Sequence, residues 1–172
     1  MARNVEIKAR IESIESVFSI AAKLADEGPI EIIQDDTFFP CEKGRLKLRA
    51  FSQDEGELIF YRRSDGKGPK ESFYIVSPTG SPDTLRESLT MAYGTAGRVC
   101  KNRTLLLAGR TRIHLDRVED LGDYLELEVV LEEGEAVESG EAVARDLMEK
   151  LGIGPHQLIE GAYVDLLAQG GN

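Results

Sequence analysis

The sequence predicts an α+β protein of about eight antiparallel strands and about four helices. Three observations carry the prediction. Polar and apolar residues alternate at period two along eight stretches. Short polar or glycine-containing connectors join many of those stretches, as in hairpins and meanders. Segments with helical spacing interrupt them at intervals.

In order, Asn4–Ile11 is a strand with Val5, Ile7 and Ala9 on one face and Asn4, Glu6, Lys8 and Arg10 on the other. Glu12–Glu27 has Ile14, Val17, Phe18, Ala21 and Leu24 at helical spacing and is closed by Gly28-Pro29. Strands follow at Glu31–Phe39, Arg45–Phe51, Glu57–Arg63 and Glu71–Ser77, with Gln53–Gly56 and Asp65–Gly68 as turns. Ser81-Pro82-Asp83 opens a helix, with proline in its first turn. Strands return at Arg98–Leu107, Arg110–Arg117 and Tyr124–Leu131. Ser139–Leu151 reads as a Ser-capped helix stopped by Gly152, and Gly154-Pro155 starts a last helix carrying Leu158, Ile159, Leu166 and Leu167. Residues 1–169 are expected to form one domain and 170–172 a flexible tail.

Of the 172 residues, 41% are hydrophobic and 30% charged, as in a soluble globular protein. No apolar run approaches the ~18 residues of a membrane span, and no basic-then-apolar leader is present. Cys41 and Cys100 lack CxxC spacing and read as reduced thiols, so a cytoplasmic location is expected. The net charge of −10 is unevenly spread. Residues 43–117 carry 15 basic and 8 acidic side chains, whereas residues 118–172 carry 2 basic and 14 acidic. A basic middle inside an acidic protein points to a local anion site rather than a nucleic-acid footprint. Mutual pairing of the middle with its acidic flanks accounts for the same counts.

The charged strand faces sharpen that choice. Acids cluster on the first and last strands, at Glu6 and at Glu126 and Glu128. Bases cluster on the middle ones, at Arg45, Lys47 and Arg49, then Lys101 and Arg103, then Arg112 beside His114 and Asp116. If the sheet curls with its apolar face outward under the helices, these faces line a common interior. Buried unpaired charge is costly, so such an interior needs water and ligand to fill it. Residues i and i+2 lie about 6.6 Å apart on one strand face, so Glu126 and Glu128 can converge on a divalent ion and Glu6 can add a third carboxylate. Oxygen ligands that leave room for phosphate suit Mg²⁺ or Mn²⁺. Arginine and lysine on the other strands suit a chain of phosphates.

These residues, in this order, resemble the CYTH family, the triphosphate tunnel metalloenzymes. NVEIK holds Glu6 and Lys8 of an ExExK signature; GRLKLR, YRRSDGKGPKESFY and KNR resemble its basic strands. TRIHLDRVEDLGDYLELEVV resembles the class IV adenylyl cyclase branch, and AYVDLL its closing helix. The resemblance implies an eight-stranded antiparallel barrel forming a tunnel, with helices outside. It implies Mg²⁺ or Mn²⁺ held at Glu6, Glu126 and Glu128, and a triphosphate held by Lys8, Arg45, Lys47, Arg49, Arg63, Lys70, Lys101, Arg103 and Arg112. Lys8, Lys70 and Arg112 are its candidate catalytic residues, with Asn4, His114 and Asp116 as further possible site residues. The signature has Glu where this chain has Asn4, which implies weaker metal binding or a shift in the ion held. The implied partner is ATP, inorganic triphosphate or thiamine triphosphate, with no nucleic acid or membrane, and a homodimer stays open. The implied activity is conversion of ATP to cyclic AMP and pyrophosphate. The alternatives are a triphosphatase and a catalytically weak triphosphate-binding protein.

Overall fold

The computed structural model describes residues 2–63 and 67–170. The expected turn at Asp65-Gly66 and the last two tail residues lie outside them. The elements are β1 (Ala2–Arg10), α1 (Ile14–Leu24), β2 (Glu27–Phe39), β3 (Arg45–Ala50), β4 (Gly56–Arg63), β5 (Lys70–Thr79), α2 (Pro82–Tyr93), β6 (Gly97–Ala108), β7 (Thr111–Val118), β8 (Gly122–Val130), α3 (Val137–Leu151) and α4 (Tyr163–Gly170). The eight strands close a barrel in the order β1-β5-β4-β3-β2-β6-β7-β8, and every pairing is antiparallel. The expected α+β barrel is therefore observed.

The main apolar core lies outside the barrel. Val5, Ile7, Ala9, Leu106, Ile113, Leu115, Leu125, Leu127 and Val129 point outward from β1, β6, β7 and β8 and pack under α1 and α3. Each helix offers an apolar stripe: Val17 and Ala21 from α1, Ala144, Leu147, Met148 and Leu151 from α3. A Cβ on Gly140 of α3 would come within 2.7 Å of Val5 and Leu131 side-chain atoms, so glycine is what lets this helix approach the barrel closely. Because the core uses the outward faces, the alternate residues on the same strands face inward.

Three of the departures from the expected boundaries have a clear local reason. The first helix stops at Leu24 rather than Glu27, and Gly28-Pro29 belongs to β2. The Asp26 amide donates to the Leu107 carbonyl at 2.6 Å and Glu27 pairs with Leu107, so the edge of β6 captures the chain before another helical turn can form. Gly28, at φ +100°, sits in the register shift between Glu27 and Ile30. Ser139 is not the cap of α3, which begins at Val137. Its hydroxyl donates to Glu135, whose carboxylate also accepts from Arg110 and from the Glu132 amide. That knot fixes the first turn two residues early. The last predicted helix is split into a 3-10 turn at Pro155–Gln157 and α4. Leu158 bridges to Ala9, and the Ile159 amide donates to the Lys8 carbonyl at 3.0 Å. Pairing of β1 with β5 ends at Glu6, so the edge beyond it is open to this segment.

Candidate active site

The barrel encloses a cavity of about 330 Å³ lined by residues from all eight strands and from the start of α4. Its wall includes Asn4, Glu6, Lys8, Lys47, Arg49, Arg63, Lys101, Arg103, Arg112, His114, Glu126 and Glu128. Register explains the gathering. Glu6 pairs with Glu128 and Lys8 with Glu126 across β1 and β8, while Glu126 pairs with His114 and Glu128 with Arg112 across β8 and β7. Directly paired residues share a face, so one patch receives all six side chains.

Ion pairs divide this wall into two regions. In the first, cations and carboxylates match one to one. Lys8 Nζ lies 3.5 Å from Glu126, Arg63 is 3.2 Å from Glu6, and Arg112 is 3.1 Å from Glu128. Arg103 grips Asp116 through two bonds of 2.7 and 2.8 Å, and the Tyr163 hydroxyl donates to the same carboxylate at 2.8 Å. In the second region three cations share one carboxylate. Asp36 on β2, 1% exposed, accepts two bonds from Arg49 at 2.8 and 2.7 Å, with Lys101 at 3.2 Å and Lys47 at 3.4 Å. With all three cations protonated this region is short of negative charge, and a polyanion is its natural complement.

Burial and charge move the proton equilibria accordingly. Burial pushes the Asp36 carboxyl up, but Arg49, Lys101 and Lys47 outweigh it and hold the group well below the usual carboxylate range. Burial raises Asp116 as well, and Arg103 overrides it to bring the group to about 2. Burial, reinforced by neighbouring Glu126 and Glu128, pushes Glu6 up to about 7. Burial brings Lys47 down to about 7, with Arg49 adding to the effect, and Lys101 down to about 8 against the pull of Asp36.

The two lysines give a pH prediction with a definite sign. Below these values both are ammonium and attract phosphate; above them both are neutral. Metal-free affinity for inorganic triphosphate therefore falls by at least about tenfold between pH 7 and 9, one factor of ten for each unit above a group's pKa. Isothermal titration across that range, with Lys47→Arg as a variant whose charge persists, measures it. A flat profile in the wild type contradicts this account of the lysines.

Two predicted phosphate ligands lie elsewhere. Arg45 is at the outer end of β3, 44% exposed in its side chain, and pairs with Asp165 of α4 at 2.6 Å. Arg45 and Lys70 line a second cavity of about 740 Å³ at that end, which shares Tyr61 and Arg63 with the first. Both follow the inward alternation of their strands, but strand ends carry them beyond the enclosed chamber.

Three features were missed by sequence reasoning. Asp36 is one: β2 mixes polar and apolar residues on both faces, so alternation did not single it out. Tyr163 is another. Its ring lies 3.9 Å from Lys8 Nζ and 5.4 Å from Lys101 Nζ, covering both cations from within the barrel. The third is an apolar end. Ile32 in the middle of β2, Leu105 and Val76 toward the ends of β6 and β5, and Phe51 just past β3 line the cavity at the end opposite Tyr163, with Glu57 and Arg112 beside them.

The donor atoms fit a divalent cation. Among the described residues, Glu126, Glu128 and His114 each place one ligand atom within 4.8 Å of the others. The buried Asn4 Oδ1 and His114 Nδ1 atoms have no hydrogen-bond partner. His114 rather than Glu6 completes the tight group.

Fold and site together define an antiparallel barrel whose polar interior is organised by paired charges. A CYTH domain model matches residues 2–163, and the chain belongs to the CYTH family, whose members are adenylyl cyclase-like or triphosphatase enzymes. It is 23% identical over 172 residues to the adenylate cyclase CyaB of Aeromonas hydrophila, covering 96% of this chain and 88% of that one. Among solved structures, PH1012 of Pyrococcus horikoshii OT3 superposes with a TM-score of 0.83 at 21% identity, over 95% of this chain and 98% of that one. HpAC1 of Hippeastrum, a candidate adenylyl cyclase with a dominant triphosphatase activity, superposes with a TM-score of 0.68 at 16% identity, over 98% and 96% of the two chains. No helix among the described residues is long and apolar enough to cross a membrane.

Proposed function

We propose that the barrel binds an organic triphosphate and acts on it with a divalent ion, most like a class IV adenylyl cyclase. The observation that carries this reading is the trio of Lys47, Arg49 and Lys101 sharing one buried carboxylate, which leaves a polyanion seat inside a closed barrel. The phosphate chain lies along these bases and along Arg103 and Arg63. The apolar end formed by Ile32, Phe51, Val76 and Leu105 receives the organic group. A cavity of 330 Å³ is near the lower limit for a small-molecule site, which fits phosphates inside and a base at the mouth.

Glu126, Glu128 and His114 would hold the ion, with Glu6 as a further carboxylate. Bound there, it would supply charge neutralisation on phosphate oxygens and a lowered pKa for an attacking hydroxyl. The protein's own groups orient and neutralise. Arg103 is fixed by Asp116 and so presents its guanidinium without reorganisation. Lys8, between Glu126 and the Tyr163 ring, is a rigid cation facing the phosphates. Arg112 stands at the open end beside Glu128 and the Tyr74 hydroxyl.

The relatives support a second reading, hydrolysis of the terminal phosphate, because a neighbour of the same fold has dominant triphosphatase activity. Incubation with Mn²⁺ or Mg²⁺ and, separately, ATP, thiamine triphosphate and inorganic triphosphate separates the two. Cyclic AMP and pyrophosphate from ATP are expected. Free phosphate without cyclic AMP replaces the cyclase reading with the hydrolase reading. No product from any substrate, with triphosphate still raising the melting temperature, replaces both with binding alone.

A further inference from the structure

We infer that His114 is a metal ligand and that this barrel selects a first-row transition ion such as Mn²⁺ over Mg²⁺; this rests on the metal-assisted reading above and names the ion class that it left open. The inference starts from three atoms able to ligate a cation and facing one point. His114 Nδ1 lies 3.4 Å from Glu126 Oε1 and 3.8 Å from Glu128 Oε1. His114 is 4% exposed, and its Nδ1 forms no hydrogen bond with either oxygen. A buried polar atom without a partner is costly, and a cation at the focus of the three supplies one. Asn4 supplies a second, independent sign. Its Oδ1 is also buried and unpartnered, 2% exposed for the residue, and it faces the same cavity two residues from Glu6.

The donor set then decides the ion. Mg²⁺ takes oxygen ligands, mainly carboxylates, phosphates and water, at near-ideal octahedral geometry. An imidazole nitrogen favours the transition ions, which rise in affinity along the first row. Here the hard anionic donors are few: Glu6 lies outside the tight group, and position 4 carries a neutral amide. The tight set, two carboxylates with one imidazole, with the neutral Asn4 amide on the same cavity wall, suits Mn²⁺ better than Mg²⁺.

Pulsed electron paramagnetic resonance of Mn²⁺ bound to the intact protein reads the ligand directly, without turnover. The expected spectrum shows hyperfine coupling to a directly bound nitrogen. His114→Gln should abolish that coupling and weaken Mn²⁺ binding by at least about tenfold, the smaller loss seen even when a partner of a ligand is removed, with little change for Mg²⁺. Asn4→Glu, which leaves the histidine in place, should raise Mg²⁺ affinity and narrow the preference for Mn²⁺. Tight Mn²⁺ binding without nitrogen coupling in the wild type overturns the role of His114 while leaving a metal site. Absence of Mn²⁺ binding, with or without triphosphate, overturns the metal-assisted reading itself.

Discussion

Replacing Asp36 with alanine destabilises the protein by about 3–5 kcal/mol, the cost of leaving buried charge without its partner. Inorganic triphosphate restores most of the loss. The expectation follows from one carboxylate serving three cations. Arg49, Lys47 and Lys101 have side chains 12%, 14% and 2% exposed, so water cannot replace the missing charge. Arg49 then keeps its charge without a counter-ion, while Lys47 and Lys101, brought down to about 7 and 8 by burial, lose the carboxylate that held them up and give up protons. A polyanion binds the folded form and not the unfolded chain, so it stabilises by mass action. The variant should therefore gain more in melting temperature from triphosphate than the wild type does. Because the native carboxyl is held well below its usual range, its contribution is complete above about pH 4 and fades only as the pH falls through that lower value. An unchanged melting temperature, or equal ligand effects in the two proteins, contradicts Asp36 as the resident counter-ion of the phosphate seat.

The double variant Glu126→Gln/Glu128→Gln should lose at least about a hundredfold in metal-dependent turnover, since even partners of metal ligands cost 10–100-fold when removed. Both side chains come from the same face of β8, and both approach His114. Glu126 has a second task. Burial pushes its carboxyl up, but Lys8 and Arg103 are among the cations that outweigh it and keep the group well below its ordinary range. An amide there removes the ion-pair partner of Lys8 and leaves it the Tyr163 ring and the weaker influence of Glu6 and Asp116. Triphosphate binding without metal should survive, because the Lys47, Arg49 and Lys101 wall is untouched. Full metal dependence in the double variant contradicts the placement of the metal centre.

Particular residues show how far sequence alone could reach. Alternation in NVEIKAR, RLKLR and LELEV identified the inward faces, because a core outside the barrel forces the polar set inside. Closure itself was inferred only conditionally, since the pairing of β1 with β5 and β8 joins segments far apart in the chain. Arg45 shares the face of Lys47 and Arg49, as alternation requires, but period two says nothing of depth along the barrel. Depth put Arg45 beside Asp165 at the rim. Asp36 escaped notice because its strand alternates poorly: Ile32 and Ile33 are adjacent, as are Phe38 and Phe39. His114 was visible as a lining residue, but its ligand role depends on distances to Glu126 and Glu128 that no spacing rule supplies.

The most direct test of the account is an anomalous diffraction map from crystals soaked with Mn²⁺ and inorganic triphosphate. The expected map has a manganese peak among Glu126, Glu128 and His114, with phosphate density against Lys47, Arg49 and Lys101. Manganese outside the barrel, or phosphate density confined to the Arg45 and Lys70 rim, would contradict it.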